Sequence, residues 1–160
     1  MAPWGEDCTA IALRLGLDAR RTVAIDLSHD TSKRITLMTA PGADPAAGDA
    51  AAALLAAAGR AVTRIKDSPG FIAQRITAMI ANLGAEMAQI SLATPADIDK
   101  AMQLGLNYPK GPLALADAIG VKRTYDIMCR LHETIGSDRY RPSLWLRRRA
   151  LLGLPAATPN

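Results

Sequence analysis

The stretch Asp67-Ser68-Pro69-Gly70-Phe71-Ile72-Ala73-Gln74-Arg75 marks the point where the sequence changes character. Upstream lie short β-branched runs, Thr22 to Leu27 (TVAIDL), Arg34 to Thr39 (RITLMT) and Ala61 to Lys66 (AVTRIK), which read as strands. Between the last two, the alanine-rich segment from Pro45 closes on Gly59, the pattern of a helix with a glycine stop. Asp7 to Leu17 predicts another helix, ended by Gly16. Residues 1–66 therefore alternate strand and helix, as an α/β unit does, with too little sheet for a complete domain.

Downstream the strand signals stop. Ser68-Pro69 has the chemistry of a helix cap followed by a first-turn proline. From there Ile72, Ile76, Met79, Ile80, Leu83, Met87 and Ile90 recur at spacings of three and four, which predicts a long helix with an apolar stripe. Thr94-Pro95-Ala96-Asp97 opens a second helix, stopped by Gly105, and Gly111-Pro112 a third, stopped by Gly120. A fourth carries Val121, Tyr125, Met128, His132 and Ile135 up to Gly136, and Leu144 to Leu152 forms a fifth. The expected fold class is mostly α: a small, partial α/β segment over 1–66, an all-α domain over 67–154, and a loose tail over 155–160.

Composition narrows the function classes. Across 160 residues, 49% are hydrophobic and only 4% aromatic, while alanine occurs 31 times, a balance that favours packed helices over a sandwich or barrel. Charged residues break every apolar run short of membrane-spanning length, so no membrane partner is expected. The opening MAPWGEDCTA lacks the basic and apolar regions of an export signal. Cys8 and Cys129 stand apart, which excludes a disulfide scaffold and a zinc site and fits a cytoplasmic setting. The net charge of +4 collects late, in Arg139, Arg141, Arg147, Arg148 and Arg149. With no helix-turn-helix spacing and no aromatic platform, these read as a solvated face, and no nucleic acid is expected.

The search for chemistry returns mostly structural roles. No two glycines flank a single residue, so the dinucleotide-binding GxGxxG turn is absent and no cofactor is expected on this chain. Ser28-His29-Asp30 has triad residue types, but adjacent residues cannot face one another as a triad requires, and it reads as a polar loop. His132 lies on an apolar helical stripe and reads as a core or interface histidine. Asp97 and Asp99 complement a helix N-terminus.

What stands out is the order of two segments, the stretch from Asp67 to Arg75 and Ala96-Asp-Ile-Asp-Lys-Ala-Met-Gln-Leu-Gly105-Leu-Asn-Tyr-Pro-Lys-Gly-Pro112. Together with Leu113-Ala-Leu-Ala-Asp117, Arg139-Tyr-Arg-Pro142 and the run Trp145 to Arg149, they closely resemble the 3-hydroxyacyl-CoA dehydrogenase family at the entry to its C-terminal helical domain. That family reads D-[ST]-P-G-F-[IV]-x-N-R, then D-I-D-x-A-M-x-x-G-x-G-Y-P-x-G-P.

The resemblance implies oxidation of an L-3-hydroxyacyl-CoA to the 3-ketoacyl-CoA with NAD. It also implies a helical domain that walls the acyl-CoA cleft and makes a homodimer. Gln74 falls on the family's active-site Asn, one methylene longer, and Gln74, Ser68 and Phe71 are the implied substrate-side residues. Counting back from Asp67 places the family's catalytic His at Asp26 and its orienting Glu at Met38, with His29 as a nearby rival. Neither Asp26 nor Met38 can do those jobs. The expectation is therefore the C-terminal portion of a larger enzyme, preceded by the end of a degenerate nucleotide-binding unit and inactive alone. The alternative is a stand-alone helical dimerisation module. In a decayed copy, Gln74 is expected to be an exposed first-turn residue whose replacement barely changes stability.

Overall fold

Strand pairing follows the β-branched runs. In the computed structural model, which describes residues 1–160, α1 (Cys8–Arg14) precedes a sheet of β1 (Val23–Ile25), β2 (Arg34–Thr39) and β3 (Ala61–Ile65) in the order β1-β2-β3. β1 is antiparallel to β2, with Ala24 opposite Met38, and β2 is parallel to β3, with Met38 beside Ile65. A parallel pair needs a crossover, supplied here by α2 (Pro45–Ala57). Proline in its first turn and the Asp44 carboxylate, which accepts from Ala46 N at 3.0 Å, start that helix.

Successive strand residues face opposite sides. Ala24, Met38 and Ala40 pack with Cys8 of α1 and with Phe71, while Ile65 lies against the same cluster. On the other face, Arg64 reaches Asp49 of α2 at 2.6 Å, and a Cβ on Gly48 would lie 3.6 Å from the Thr39 methyl. The two helices thus cover opposite faces of the sheet.

Ser68-Pro69 does not open the long helix as the sequence predicts. Gly70 and Phe71 take left-handed backbone with φ of 71° and 49°, Phe71 N donates to Ser68 O at 3.2 Å, and α3 (Ala73–Gln89) begins only afterwards. Turning back first lets the Phe71 ring enter the core beside Cys8, Ala24, Met38 and Ala40. That burial offsets a left-handed strain of about 1–2 kcal/mol at a residue with a side chain. The chain divides into two compact units, Met1–Gln74 and Arg75–Asn160, beyond the composition shift at 66/67.

The second unit continues along α3 into α4 (Pro95–Leu106), α5 (Pro112–Ile119), α6 (Val121–Ile135), a 3-10 turn (Asp138–Tyr140) and α7 (Leu144–Leu152). Ile98, Leu113, Ile127, Met128, Leu131 and Leu146 are fully buried. Gly105 does not stop α4; the helix runs through it to Leu106, and Asn107, left-handed at φ 54°, ends it. The motif acids divide the capping between two helices. Thr94 Oγ1 caps α4 by accepting from Asp97 N at 3.2 Å and donates to Asp97 Oδ2 at 2.6 Å, whereas Asp99 accepts from Leu113 N at 2.7 Å and Ala114 N at 3.0 Å, capping α5 instead of its own helix. Two glycines permit the packing: a Cβ on Gly111 would sit 2.3 Å from the Asp99 Cβ, and one on Gly84 2.3 Å from the Pro112 Cβ.

The tail is not loose. Ala156 is buried, its N–H donates to Asp117 Oδ1 at 2.7 Å, and its carbonyl accepts from the Trp145 indole at 2.8 Å. Arg149 stacks 3.2 Å over the Trp145 ring and donates to the carbonyl of Thr158. Small polar residues at a chain end predict fraying, but these partners lie 9 to 39 residues away. No helix is long and apolar enough to cross a membrane.

Candidate functional site

The end of β1 delivers a carboxylate into the interior of the first unit. Asp26 is fully buried, anchored by its own N–H donating to Thr36 O at 2.9 Å. A buried carboxylate must be hydrogen-bonded. Asp26 Oδ1 accepts from Gln74 Nε2 at 2.9 Å and from Ser28 N at 3.0 Å; Oδ2 has no hydrogen bond, with His29 Nδ1 at 3.6 Å. The Gln74 amide is shared further, with Nε2 donating to Pro3 O at 3.0 Å and Oε1 accepting from Gly5 N at 2.9 Å. Beside it, Ile25 N donates to Met1 O and the Met1 amine to Val23 O, so residues 1–5 are stitched along β1.

This arrangement corrects the reading of Gln74 as an exposed residue. It is 1% exposed, and its extra methylene spans to three partners lying 48 to 71 residues away in sequence. Phe71 is core, 1% exposed, and Met38 is fully buried beside it. Ser68 sits half-buried in the turn before α3. Ser28 Oγ and Asp26 Oδ2 both approach the same His29 nitrogen, at 3.3 and 3.6 Å, so the three form no relay. His132 is half-buried with Nδ1 3.2 Å from Ser137 O. Among the late arginines, four are exposed, but Arg149 is 3% exposed, and burial, followed by the neighbouring Arg148 charge, holds it below the usual guanidinium range.

The sequence reading missed Asp67. Its carboxylate accepts from Cys8 N at 2.6 Å, Thr9 N at 3.1 Å and the Thr9 hydroxyl at 2.5 Å, capping α1 across 58 residues. Its place at the head of the motif was the available signal. The Cys8 thiol is pushed up by burial first and by the Asp67 charge second.

A dinucleotide does not fit these residues. There is no glycine-rich turn, and at the one strand-to-helix crossover the first turn of α2 is already capped by the Asp44 carboxylate, which repels a diphosphate. No group of three or more His, Cys, Asp or Glu is placed to hold a metal ion.

Comparison with known proteins places this geometry in a family. The model of the 3-hydroxyacyl-CoA dehydrogenase C-terminal domain matches residues 70–158, and that of the 3-hydroxybutyryl-CoA dehydrogenase reduced Rossmann-fold domain matches 6–69. The chain belongs to the 3-hydroxyacyl-CoA dehydrogenase family. It is 39% identical to the 3-hydroxyadipyl-CoA dehydrogenase of Escherichia coli over 148 residues, 92% of this chain and 30% of that protein. With a probable 3-hydroxybutyryl-CoA dehydrogenase of Deinococcus radiodurans it shares 41% over 96 residues, 60% of this chain and 34% of that one. A crystal structure of 3-hydroxybutyryl-CoA dehydrogenase from E. coli superposes with a TM-score of 0.83 at 37% identity, covering 95% of this chain and 31% of that one. The (S)-3-hydroxybutyryl-CoA dehydrogenase of Ralstonia eutropha gives 0.81 at 27%, covering 95% and 54%. The chain thus spans about a third of the length of these two curated relatives, 30% and 34%.

Proposed function

We propose that this chain is the C-terminal portion of an NAD-dependent 3-hydroxyacyl-CoA dehydrogenase, serving the oxidation of an L-3-hydroxyacyl-CoA to the 3-ketoacyl-CoA without performing it. NAD supplies the hydride acceptor for that reaction, and its site lies outside these residues. The observation that carries the reading is the Asp26–Gln74 bond. Asp26, where counting back from Asp67 puts the family's catalytic imidazole with His29 as the rival, is a buried carboxylate, and Gln74, on the family's active-site Asn by resemblance, is hydrogen-bonded to it. A carboxylate there replaces the imidazole ring, and Met38 has no charge to orient a base. The helical unit's share is a wall of the acyl-CoA cleft, while Ser68 and Gln74, substrate-side residues that the resemblance implies, belong to the first unit. Its other share is a homodimer contact, supported by the exposed apolar stripe along and just past α3, where Ile76, Leu83 and Ile90 are 51, 58 and 65% exposed.

The test is direct. Purified chain, mixed with NAD and 3-hydroxybutyryl-CoA, is expected to give no rise in reduced nicotinamide absorbance. Robust turnover overturns the reading of residues 1–66 as degenerate.

A further inference from the structure

In an open α/β sheet, neighbouring parallel strands whose following loops leave toward opposite faces open a crevice at their carboxyl ends, and ligands settle there. β2 and β3 meet that condition. The loop after β2, from Ala40 to Asp44, feeds α2 on one face. The loop after β3 carries Asp67 to the N-terminus of α1 on the other. Between them lies a crevice of about 660 Å³ lined by Thr39, Pro41, Arg64, Ile65, Lys66 and Asp67, within the size range of small-molecule sites.

Its hydrogen-bonding inventory is one-sided. Asp67, the one acid in the lining, already accepts three hydrogen bonds from α1. Asp49, just outside, is held by a single nitrogen of Arg64. That leaves the rest of the half-exposed Arg64 guanidinium, the exposed Lys66 ammonium and the Thr39 hydroxyl without protein acceptors. A concave site whose unpaired side-chain groups are two cations and a hydroxyl favours a ligand rich in acceptors and negative charge. Asp44 already caps α2, so the ligand's charge belongs on the β3 side, at Lys66.

We propose that the crevice outside the carboxyl ends of β2 and β3 binds the phosphate group of a small molecule, with Lys66, Arg64 and Thr39 as its donors. The site lies on the first unit and does not depend on the dehydrogenase reading.

The experiment is an amide NMR titration of the full chain with inorganic phosphate at constant ionic strength, chloride being the reference anion. Saturable shifts at Thr39, Gly42 and Lys66 are expected. Lys66→Gln should weaken binding at least tenfold, and Arg64→Gln less, with the remaining spectrum unchanged. Lys33→Gln, which removes the same charge at the other end of β2, should leave binding as it was. Competition with CoA and with dephospho-CoA then identifies the source. Displacement by CoA alone assigns the 3′-phosphate, and displacement by neither assigns a small free phosphate. Shifts that fail to saturate, that gather on the arginines of the second unit, or that survive Lys66→Gln overturn the proposal.

Discussion

Gln74 shows how one methylene can turn an active-site position into a structural one. Removing its amide strands Gly5 N–H and the Pro3 carbonyl in a buried setting and leaves Asp26 Oδ1 with Ser28 N as its remaining donor. Gln74→Ala should therefore cost about 2–4 kcal/mol in a denaturant melt, in place of the near-zero effect expected of an exposed residue. A change under half a kcal/mol would show that the clasp does not hold in solution. Cys8 permits a second test at this scale. Burial raises its pKa above the usual 9.0, so the folded state favours the neutral thiol. Its contribution to stability is fully present below the unfolded thiol's pKa and is lost as pH rises through the folded one. Iodoacetamide at pH 8 should modify Cys129, which is partly accessible, well before buried Cys8. Equal labelling of the two in native protein would contradict that placement.

Among the elements, the strands and helices were legible because glycine, proline and capping residues punctuate them so regularly. All three strands stand within a residue or two of their β-branched runs. What the sequence hid was the start of α3 and the face it buries. Hydrophobic periodicity identifies a stripe, yet it cannot say whether this chain covers it. Here the buried positions include Ala78, Ala81, Ala85 and Ala88, while Ile76 and Leu83 point outward and Met79, Ile80 and Met87 are half-buried. The reason is close approach, since Gly84 lies where α5 brings the Pro112 ring. The site was less legible than the fold. Asp26, Pro3 and Gly5 are distant from Gln74 in sequence, and no local pattern announces a clasp assembled across 48 to 71 residues. Asp99 supplies a prediction about element junctions. Gly111→Ala would drive a methyl group into its Cβ and shift the carboxylate off the α5 amides, for a loss of about 2–4 kcal/mol in thermal or denaturant unfolding. A variant as stable as the parent chain would mean that the α4–α5 junction has slack.

At the scale of the whole molecule, a helix presenting isoleucine and leucine to water is incomplete. The proposed homodimer would cover this stripe, and an ordinary interface of about 1,600 Å² would suffice. Leu83→Arg, in the middle of the exposed face, should leave the circular dichroism spectrum unchanged while converting dimer to monomer in sedimentation at micromolar concentration. A wild-type chain that sediments as a monomer at high micromolar concentration rules out the homodimer for the isolated chain.

The two tight glycines carry a consequence for how this chain can drift. Glycine codons are degenerate at the third base, so every single-base change that replaces the amino acid falls at one of the first two bases and adds a Cβ. At most sites a mutational library therefore samples gentle and harsh neighbours alike, but at codons 84 and 111 it samples only collisions. Those two codons should stand out as empty columns in a saturation screen for soluble protein, although neither residue has a functional group to lose. Stringent selection would be seen there without any chemistry beneath it.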